Sequence, residues 1–133
     1  MSQLNADVVR RGYDAWNHGD LDAVREIYAP DVVASAGELW PAAGDVHGPD
    51  AIIEQFASIF ATFERLELVP QEYADHGDVI VVPTVWRGTM PGSEALIEQH
   101  LVATYRLRDG LVVHIGYFDD LESALQASGI GSS

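Results

Sequence analysis

The chain has 133 residues, with 21 acidic and 7 basic side chains and a formal net charge of −14 at pH 7. This balance excludes a basic surface that follows nucleic-acid phosphates and disfavours contact with anionic membranes, so neither is predicted as a partner. The absence of cysteine excludes disulfides and thiolate chemistry. The length predicts one domain over residues 1–133. The absence of a signal-like or membrane-spanning apolar run predicts a cytoplasmic protein.

Two helices and a short strand are predicted at the start of the chain. Apolar residues at helical spacing predict a first helix over residues 4–17 and a second that begins after Asp20 and ends at Pro30. Two β-branched valines then indicate a strand over residues 31–36.

A loop rich in glycine and proline over residues 37–49 precedes the most regular apolar periodicity in the chain. A third helix beginning near Pro49 is predicted, because apolar side chains recur there at helical spacing, namely Ile52, Ile53, Phe56, Ile59, Phe60 and Phe63. Strands follow over residues 66–73, where Pro70 indicates a sheet edge, and over residues 79–87.

Residues 94–120 predict two long strands joined by a turn at Asp109-Gly110, since Asp-Gly between alternating apolar runs is a strong hairpin signal. Strict alternation divides the hairpin into two faces. The face predicted to be buried carries Gln99, Leu101, Ala103, Tyr105, Leu107, Leu111, Val113, Ile115 and Tyr117. The other face carries His100, Val102, Thr104, Arg106, Val112, His114, Gly116 and Phe118. A short final helix is capped by Asp119 or Asp120.

Helices segregated from a run of antiparallel strands predict an α+β architecture. Within it, six segments in order resemble the SnoaL-like polyketide cyclase group of the nuclear transport factor 2-like superfamily. They are AWNHGDLD at 15–22, YAPDV at 28–32, VHGPDAI at 46–52, HGDV at 76–79, RDG at 108–110 and YFDD at 117–120. The resemblance implies a cone-shaped, curved, mainly antiparallel sheet wrapped around the long third helix, with a deep apolar pocket. It also implies a homodimer through the outer sheet face, to which we assign Trp86, His100, Val102 and His114.

The resemblance covers enzymes and non-enzymatic binders, so its known catalytic sets must be checked residue by residue. A ketosteroid isomerase-like base would fall near Ala36 and its acidic partner near Val102 or Ala103, and none of these is acidic. The Asp-Arg-Asp set and water-binding pair of a limonene epoxide hydrolase would fall on Pro83, Val85, Tyr117 or Gly116, Ala34 and Ala36. Both mechanisms are therefore disfavoured.

The first hypothesis is a cofactor-independent acid/base enzyme of isomerase, cyclase or lyase type that acts on a small hydrophobic ring compound in an apolar pocket. The catalytic candidates are Tyr117, Glu38, His47 and Arg87, of which Arg87 faces inward if its strand keeps the parity of Val79. The ligand-binding candidates are Tyr13, Trp16, Trp40, Phe56, Phe60, Gln99, Leu101 and Tyr105, with Val9 and Val113 as further lining residues. No metal and no cofactor are predicted, because no pair of histidines has ligand spacing.

Two alternatives stay open. The chain can be a non-catalytic small-molecule-binding or accessory dimer of the same fold, or a structural dimer with a collapsed pocket. Core packing alone explains Tyr13 and Trp16 as well as ligand stacking does.

Overall fold

The computed structural model of the chain describes residues 2–35 and 45–129. Within them it contains four helices and seven strands, which confirm the predicted α+β class. In chain order these are α1 (Ser2–His18), α2 (Leu21–Glu26), β1 (Tyr28–Ser35), β2 (Asp45–His47), α3 (Pro49–Ala61), β3 (Arg65–Pro70), β4 (Ala74–Asp75), β5 (Val79–Thr89), β6 (Leu96–Arg108), β7 (Leu111–Phe118) and α4 (Leu121–Ala127). Glu38 and Trp40 lie outside the described residues. None of the helices described is long and apolar enough to cross a membrane.

All the described strands belong to one open sheet. Six of them follow the order β2-β1-β7-β6-β5-β3, and β4 pairs with β5 beside this path. Every pairing is antiparallel except that of β1 with β7. Asp109 and Gly110 form the β6–β7 turn with φ angles of 56° and 80°, as the two-residue hairpin turn favoured by Asp-Gly requires. The predicted hairpin is therefore confirmed.

The helices cover the two faces of the sheet unequally. The main core cluster lies on one side, the inner face, where α1, α2 and α3 pack against the sheet. A smaller cluster on the opposite, outer face joins Val79, Val81 and Val102 to Ala124 of α4. A ligand cavity is therefore expected on the inner face, between the sheet and these helices.

The second helix is shorter than predicted. It ends at Glu26, and Tyr28 already pairs with Val112 of β7. The prediction that Pro30 ends this helix is wrong. Pro30 is tolerated inside β1 because the register with β7 shifts between Tyr28 and Val33, where the ladder is interrupted.

The side chains of β5 alternate in the opposite sense to the predicted one. Pairing with β6 sets Trp86 opposite Gln99 on the inner face and Arg87 opposite Glu98 on the outer face. The predictions that Arg87 points inward and that Trp86 lies on the outer surface are therefore wrong. Both faces of β5 are apolar, because α4 covers the outer one at Val79, so the sequence alternation did not distinguish them.

A bulge in β7 changes the faces of three residues near the hairpin turn. The ladder pairs Leu107 with Val112 but shifts register just beyond, so Val113 is an extra residue. Val112 is fully buried in the main core, whereas Leu111 and Val113 are half-buried outside it. The strict alternation that placed Leu111 and Val113 inside and Val112 outside is wrong at these positions.

The Asn17 side chain, in the last turn of α1, attaches this helix to β3. Its carboxamide donates to the Leu68 carbonyl and accepts from the Leu68 N–H, both at 2.9 Å. These are the two hydrogen bonds that a residue of a neighbouring strand would make. Asn17 therefore fixes the end of α1 over the inner face, next to Trp16.

Candidate functional site

The inner face of the sheet and helices α1 and α3 border a narrow apolar cavity. Its volume is about 20 Å³, and one ordered water needs roughly 10–15 Å³. The lining side chains come from helices and strands alike, and they are Val9, Gly12, Tyr13, Trp16, Ile27, Tyr28, Phe56, Leu68, Trp86, Tyr105 and Tyr117. The chain's own aromatic rings therefore occupy most of the space in which the resemblance implied a deep pocket.

Hydroxyl groups form the polar part of this cavity. The Tyr105 hydroxyl donates a hydrogen bond to the Tyr13 hydroxyl at 2.9 Å, and the hydroxyl of Tyr117 lies beside that of Tyr105. The Thr84 hydroxyl lies near that of Tyr13, but it makes no well-formed hydrogen bond within the described part of the chain. Four hydroxyls from four elements, α1, β5, β6 and β7, thus meet on the inner face.

Burial raises the pKa of all three of these tyrosines above the usual tyrosine range. For Tyr105 and Tyr117 the neighbouring tyrosines add to the effect of burial on the pKa. For Tyr13 the hydrogen bond from Tyr105 lowers the pKa and offsets part of the effect of burial. The hydroxyls therefore stay protonated at neutral pH, where they can donate hydrogen bonds but are poor bases.

Aromatic rings form the apolar walls of the cavity. Phe56 has centroid distances of 5.5 Å to Trp16, 5.6 Å to Tyr117 and 6.3 Å to Trp86. Phe60 packs on Trp16 with 5.2 Å between centroids. Trp16 and Phe60 are half-buried, so Trp16 extends from the cavity to the surface.

The structure brings six of the predicted site residues together at the cavity, namely Val9, Tyr13, Trp16, Phe56, Tyr105 and Tyr117. Phe60 contacts this group through Trp16. Leu101 is buried in the inner core without lining the cavity, and Gln99 is exposed although its strand pairing places it on the inner face.

Two predicted catalytic residues lie on the opposite face of the sheet. His47 is exposed and pairs with Val33 of β1, whose neighbours Val32 and Ala34 are in the inner core. Because side chains alternate along a strand, Val33 and His47 point outward. Arg87 is also on the outer face, with its Nε 2.9 Å from a Glu98 carboxylate oxygen.

The most important residue that sequence reasoning missed is Trp86, which lines the cavity from β5. Tyr28 and Leu68 line it as well. Tyr28 was missed because the second helix was predicted to extend to Pro30, whereas it ends at Glu26 and Tyr28 begins β1. No local sequence pattern indicates Trp86, because the side of the sheet to which its side chain points depends on the register between β5 and β6.

The sequence of this chain matches a known domain family. The SnoaL-like domain family matches residues 9–115, well over half of the chain. The chain belongs to the SnoaL-like domain family. The match includes every residue that lines the cavity except Tyr117. No curated protein matches the chain.

Solved structures with the same fold cover nearly all of this SnoaL-like chain. A protein from Jannaschia sp. CCS1, provisionally named a SnoaL-like polyketide cyclase, is 27% identical, with a TM-score of 0.77 over 94% of this chain and 91% of that one. A nuclear transport factor 2-like protein of unknown function from Burkholderia pseudomallei K96243 is 25% identical, with a TM-score of 0.77 over 92% and 95%. TerC, crystallised with polyporic acid, is 20% identical, with a TM-score of 0.77 over 93% and 96%, and shows the fold alone.

The SnoaL-like cavity offers hydroxyl groups on an aromatic wall. No carboxylate, imidazole, ammonium or guanidinium lines it among the residues described. Residues 2–35 and 45–129 also hold no group of three or more side chains suited to bind a metal ion. The described part of the site therefore offers protonated hydroxyl groups on an aromatic wall and no ionisable base.

Proposed function

We propose that this SnoaL-like protein is a cofactor-independent acid/base enzyme of the isomerase, cyclase or lyase type. Its substrate is a small hydrophobic ring compound that carries a carbonyl or similar oxygen. The proposal rests on the hydroxyls of Tyr105, Tyr13 and Tyr117 within an aromatic cavity. The 27% identity to a protein provisionally named a polyketide cyclase supports a ring substrate.

In the proposed reaction the tyrosines stabilise negative charge that develops on the substrate oxygen. Because the Tyr105 hydroxyl donates a hydrogen bond to the Tyr13 oxygen, the Tyr13 O–H can donate a hydrogen bond to another acceptor. A donor aligned with a developing oxyanion in a dry site contributes about 10²–10³ to kcat. The raised pKa of each tyrosine keeps that donor protonated across neutral pH.

The proposed proton acceptor is Glu38, which follows β1 in the sequence and lies outside the described residues. A base is required from outside the tyrosine cluster, because protonated tyrosines cannot remove a proton from carbon at neutral pH. His47 and Arg87 have no role in the proposed reaction, since their side chains are on the outer face of the sheet.

A ring compound is larger than the cavity of about 20 Å³, so side chains must move when it binds. Trp16 and Phe60 are the natural candidates, because they are half-buried and pack on each other, with Trp16 also in contact with Phe56. We propose that they rotate outward on binding and then cover the ligand.

A non-catalytic binding protein is the second candidate function. The absence of an ionisable base among the described lining residues supports this candidate. Such a protein would hold the same ring compound through the same tyrosines and release it unchanged.

The test begins with mass spectrometry of small molecules that copurify with the protein, followed by turnover of the identified compound. Tyr13→Phe and Tyr117→Phe are expected to lower kcat by about 10²-fold, and Glu38→Gln to abolish turnover while binding persists. Tyr73→Phe is the matched control, because Tyr73 contacts the Tyr13 ring without lining the cavity. A compound that is bound and recovered unchanged supports the binding protein instead.

We also propose a single-domain, cytoplasmic homodimer that pairs through the outer sheet face at the end remote from α4. Leu96 and His100 are exposed there. Of the other residues predicted for this interface, Trp86 is inside and Val102 packs beneath α4. Sedimentation velocity checks the assembly, and a profile of monomers alone rules it out.

A further inference from the structure

The outer face of the sheet carries a second cavity that is much larger than the inner one. We call it the outer groove, and its volume is about 350 Å³, within the roughly 300–1,000 Å³ typical of small-molecule sites. It is bordered by the end of α4 and by β5, β6 and β7, and none of the residues that line the inner cavity borders it.

Strand register brings three polar side chains of the outer groove together, those of Thr104, Arg106 and His114, and sets Ser35 beside them. His114 of β7 pairs directly with Arg106 of β6, and Gly116 pairs with Thr104. Ser35 of β1, which neighbours Gly116 on its other side, lies with its Oγ 3.3 Å from the His114 Nε2. Cβ atoms of such cross-strand neighbours are about 4.5–5.5 Å apart. One small ligand can therefore reach several of these groups.

Phe118 provides an apolar wall beside these polar groups. A Cβ at Gly116 would lie 2.9 Å from the Phe118 ring and 2.8 Å from the Thr104 hydroxyl. The ring and the hydroxyl thus occupy space that only a glycine leaves open. Together with Val79, Phe118 makes one side of the groove apolar while the other side is polar.

Arg106 is the cation of the outer groove. Its guanidinium donates to a carboxylate oxygen of Asp78 at 3.0 Å and to the Ser128 carbonyl at 3.2 Å. These bonds use only part of the guanidinium donors, which are arranged for bidentate binding of a carboxylate. The Arg106 and Asp78 side chains are 43% and 65% exposed. Such an exposed ion pair is weak, so Asp78 competes for Arg106 but a bound carboxylate can displace it.

We propose that the outer groove binds a small organic anion, a carboxylate on an apolar body. The carboxylate accepts hydrogen bonds from Arg106 and Thr104, and the apolar body packs on Phe118 and Val79. This site is independent of the inner cavity and of the reaction proposed for it.

The ionisation of His114 agrees with this geometry. Burial lowers its pKa, Asp45 opposes that effect, and Arg106 adds to it. The imidazole is therefore neutral at pH 7 and can donate one hydrogen bond. A carboxylate bound beside it favours the protonated form, so saturation with ligand raises the pKa of His114.

In the test, the full-length protein is titrated with benzoate as the anionic probe and with benzamide as its neutral counterpart. NMR of the protein measures the binding of each. Benzoate is expected to bind with a Kd on the order of 10 mM. It should shift the amide signals of Thr104, Gly116 and Phe118 and raise the pKa of His114, and benzamide should bind at least about tenfold more weakly.

Paired variants separate the groove from general charge effects. Arg106→Gln is expected to weaken benzoate binding about tenfold. Arg108→Gln should leave it unchanged, because Arg108 lies on the same strand and pairs with Asp31 away from the groove. Asp78→Asn should tighten binding, since it removes the competing carboxylate from Arg106.

Several outcomes overturn the proposal. Equal binding of benzoate and benzamide excludes recognition of the anion, and shifts confined to residues around Tyr13 place the probe in the inner cavity. If the protein is a dimer whose interface covers the outer groove and benzoate does not bind to it, the groove is not a ligand site. If Arg106→Gln does not fold, Asp78→Asn decides, because unchanged affinity in that variant removes Arg106 from the site.

Discussion

At the residue scale, the Thr84 hydroxyl is the buried side-chain group that is least well hydrogen-bonded among the residues described. It is buried on the inner face opposite Leu101, near Tyr13, and it makes no well-formed hydrogen bond among the residues described. An unsatisfied buried hydroxyl costs about 1–3 kcal/mol. A ligand oxygen or an ordered water next to Tyr13 would remove that cost, so Thr84 is expected to matter more for binding than for folding.

Thr84→Val therefore should raise the free energy of unfolding by about 1 kcal/mol, because valine has nearly the same shape and no polar atom. Urea denaturation followed by tryptophan fluorescence measures the change. Thr104→Val is the control, since Thr104 is a buried threonine beside the open outer groove and should change stability less. Loss of stability in Thr84→Val would mean that its hydroxyl has a partner in the folded protein.

At the scale of elements, the sequence predicted which segments are strands better than it predicted which way their side chains point. The Asp109-Gly110 turn and both hairpin strands were predictable from local chemistry. The face of Trp86 was not, because both sides of β5 are covered by apolar layers and only pairing with β6 decides. The Val113 bulge was equally hidden, since three apolar residues in succession fit either register.

The candidate site shows the same division. Tyr13, Trp16, Phe56, Tyr105 and Tyr117 were predictable, because helical spacing and the regular part of the hairpin fix their direction. His47 and Arg87 depended on the register of β2 and β5, which is a long-range property.

β5 and β3 come into close contact at Gly88, so a substitution there tests how tightly these two strands pack at the edge of the sheet. A Cβ at Gly88 would lie 2.6 Å from the Arg65 carbonyl oxygen and 2.9 Å from the Phe63 ring. Gly88→Ala is therefore expected to lower the free energy of unfolding by about 1–3 kcal/mol in chemical denaturation.

Gly12→Ala provides the contrast, because there the added carbon meets only Ile27 side-chain atoms and the nearest, at 2.6 Å, is the terminal methyl. The flexible methyl can move, and alanine favours the helix by about 1 kcal/mol over glycine. Equal destabilisation by the two variants would show that backbone contact at Gly88 is not the cause.

At the scale of the whole molecule, two cavities of different character share one sheet. The inner one is narrow and aromatic, whereas the outer groove is open and partly polar. Phe56 is the side chain whose removal should enlarge the inner cavity without touching the outer groove, because it packs among Trp16, Trp86 and Tyr117.

Phe56→Ala is expected to lower the free energy of unfolding by about 3–5 kcal/mol and to create space in which a small aromatic compound binds. Indole should then raise the melting temperature of Phe56→Ala more than that of the natural chain. Phe63→Ala serves as control, since Phe63 contacts Gly88 and is absent from the cavity lining. Equal stabilisation of all three proteins by indole would contradict the assignment of the inner cavity.

The pair of hydrogen bonds between Asn17 and Leu68 also has a consequence for the behaviour of the protein in concentrated solution. β3 is the last strand of the sheet, and an uncovered edge of this kind is a template on which another chain can add a strand. The Asn17 amide already occupies both main-chain groups of Leu68, and Pro70 lacks an N–H at the end of the same strand. The helix that borders the inner cavity is therefore also expected to hinder edge-to-edge aggregation.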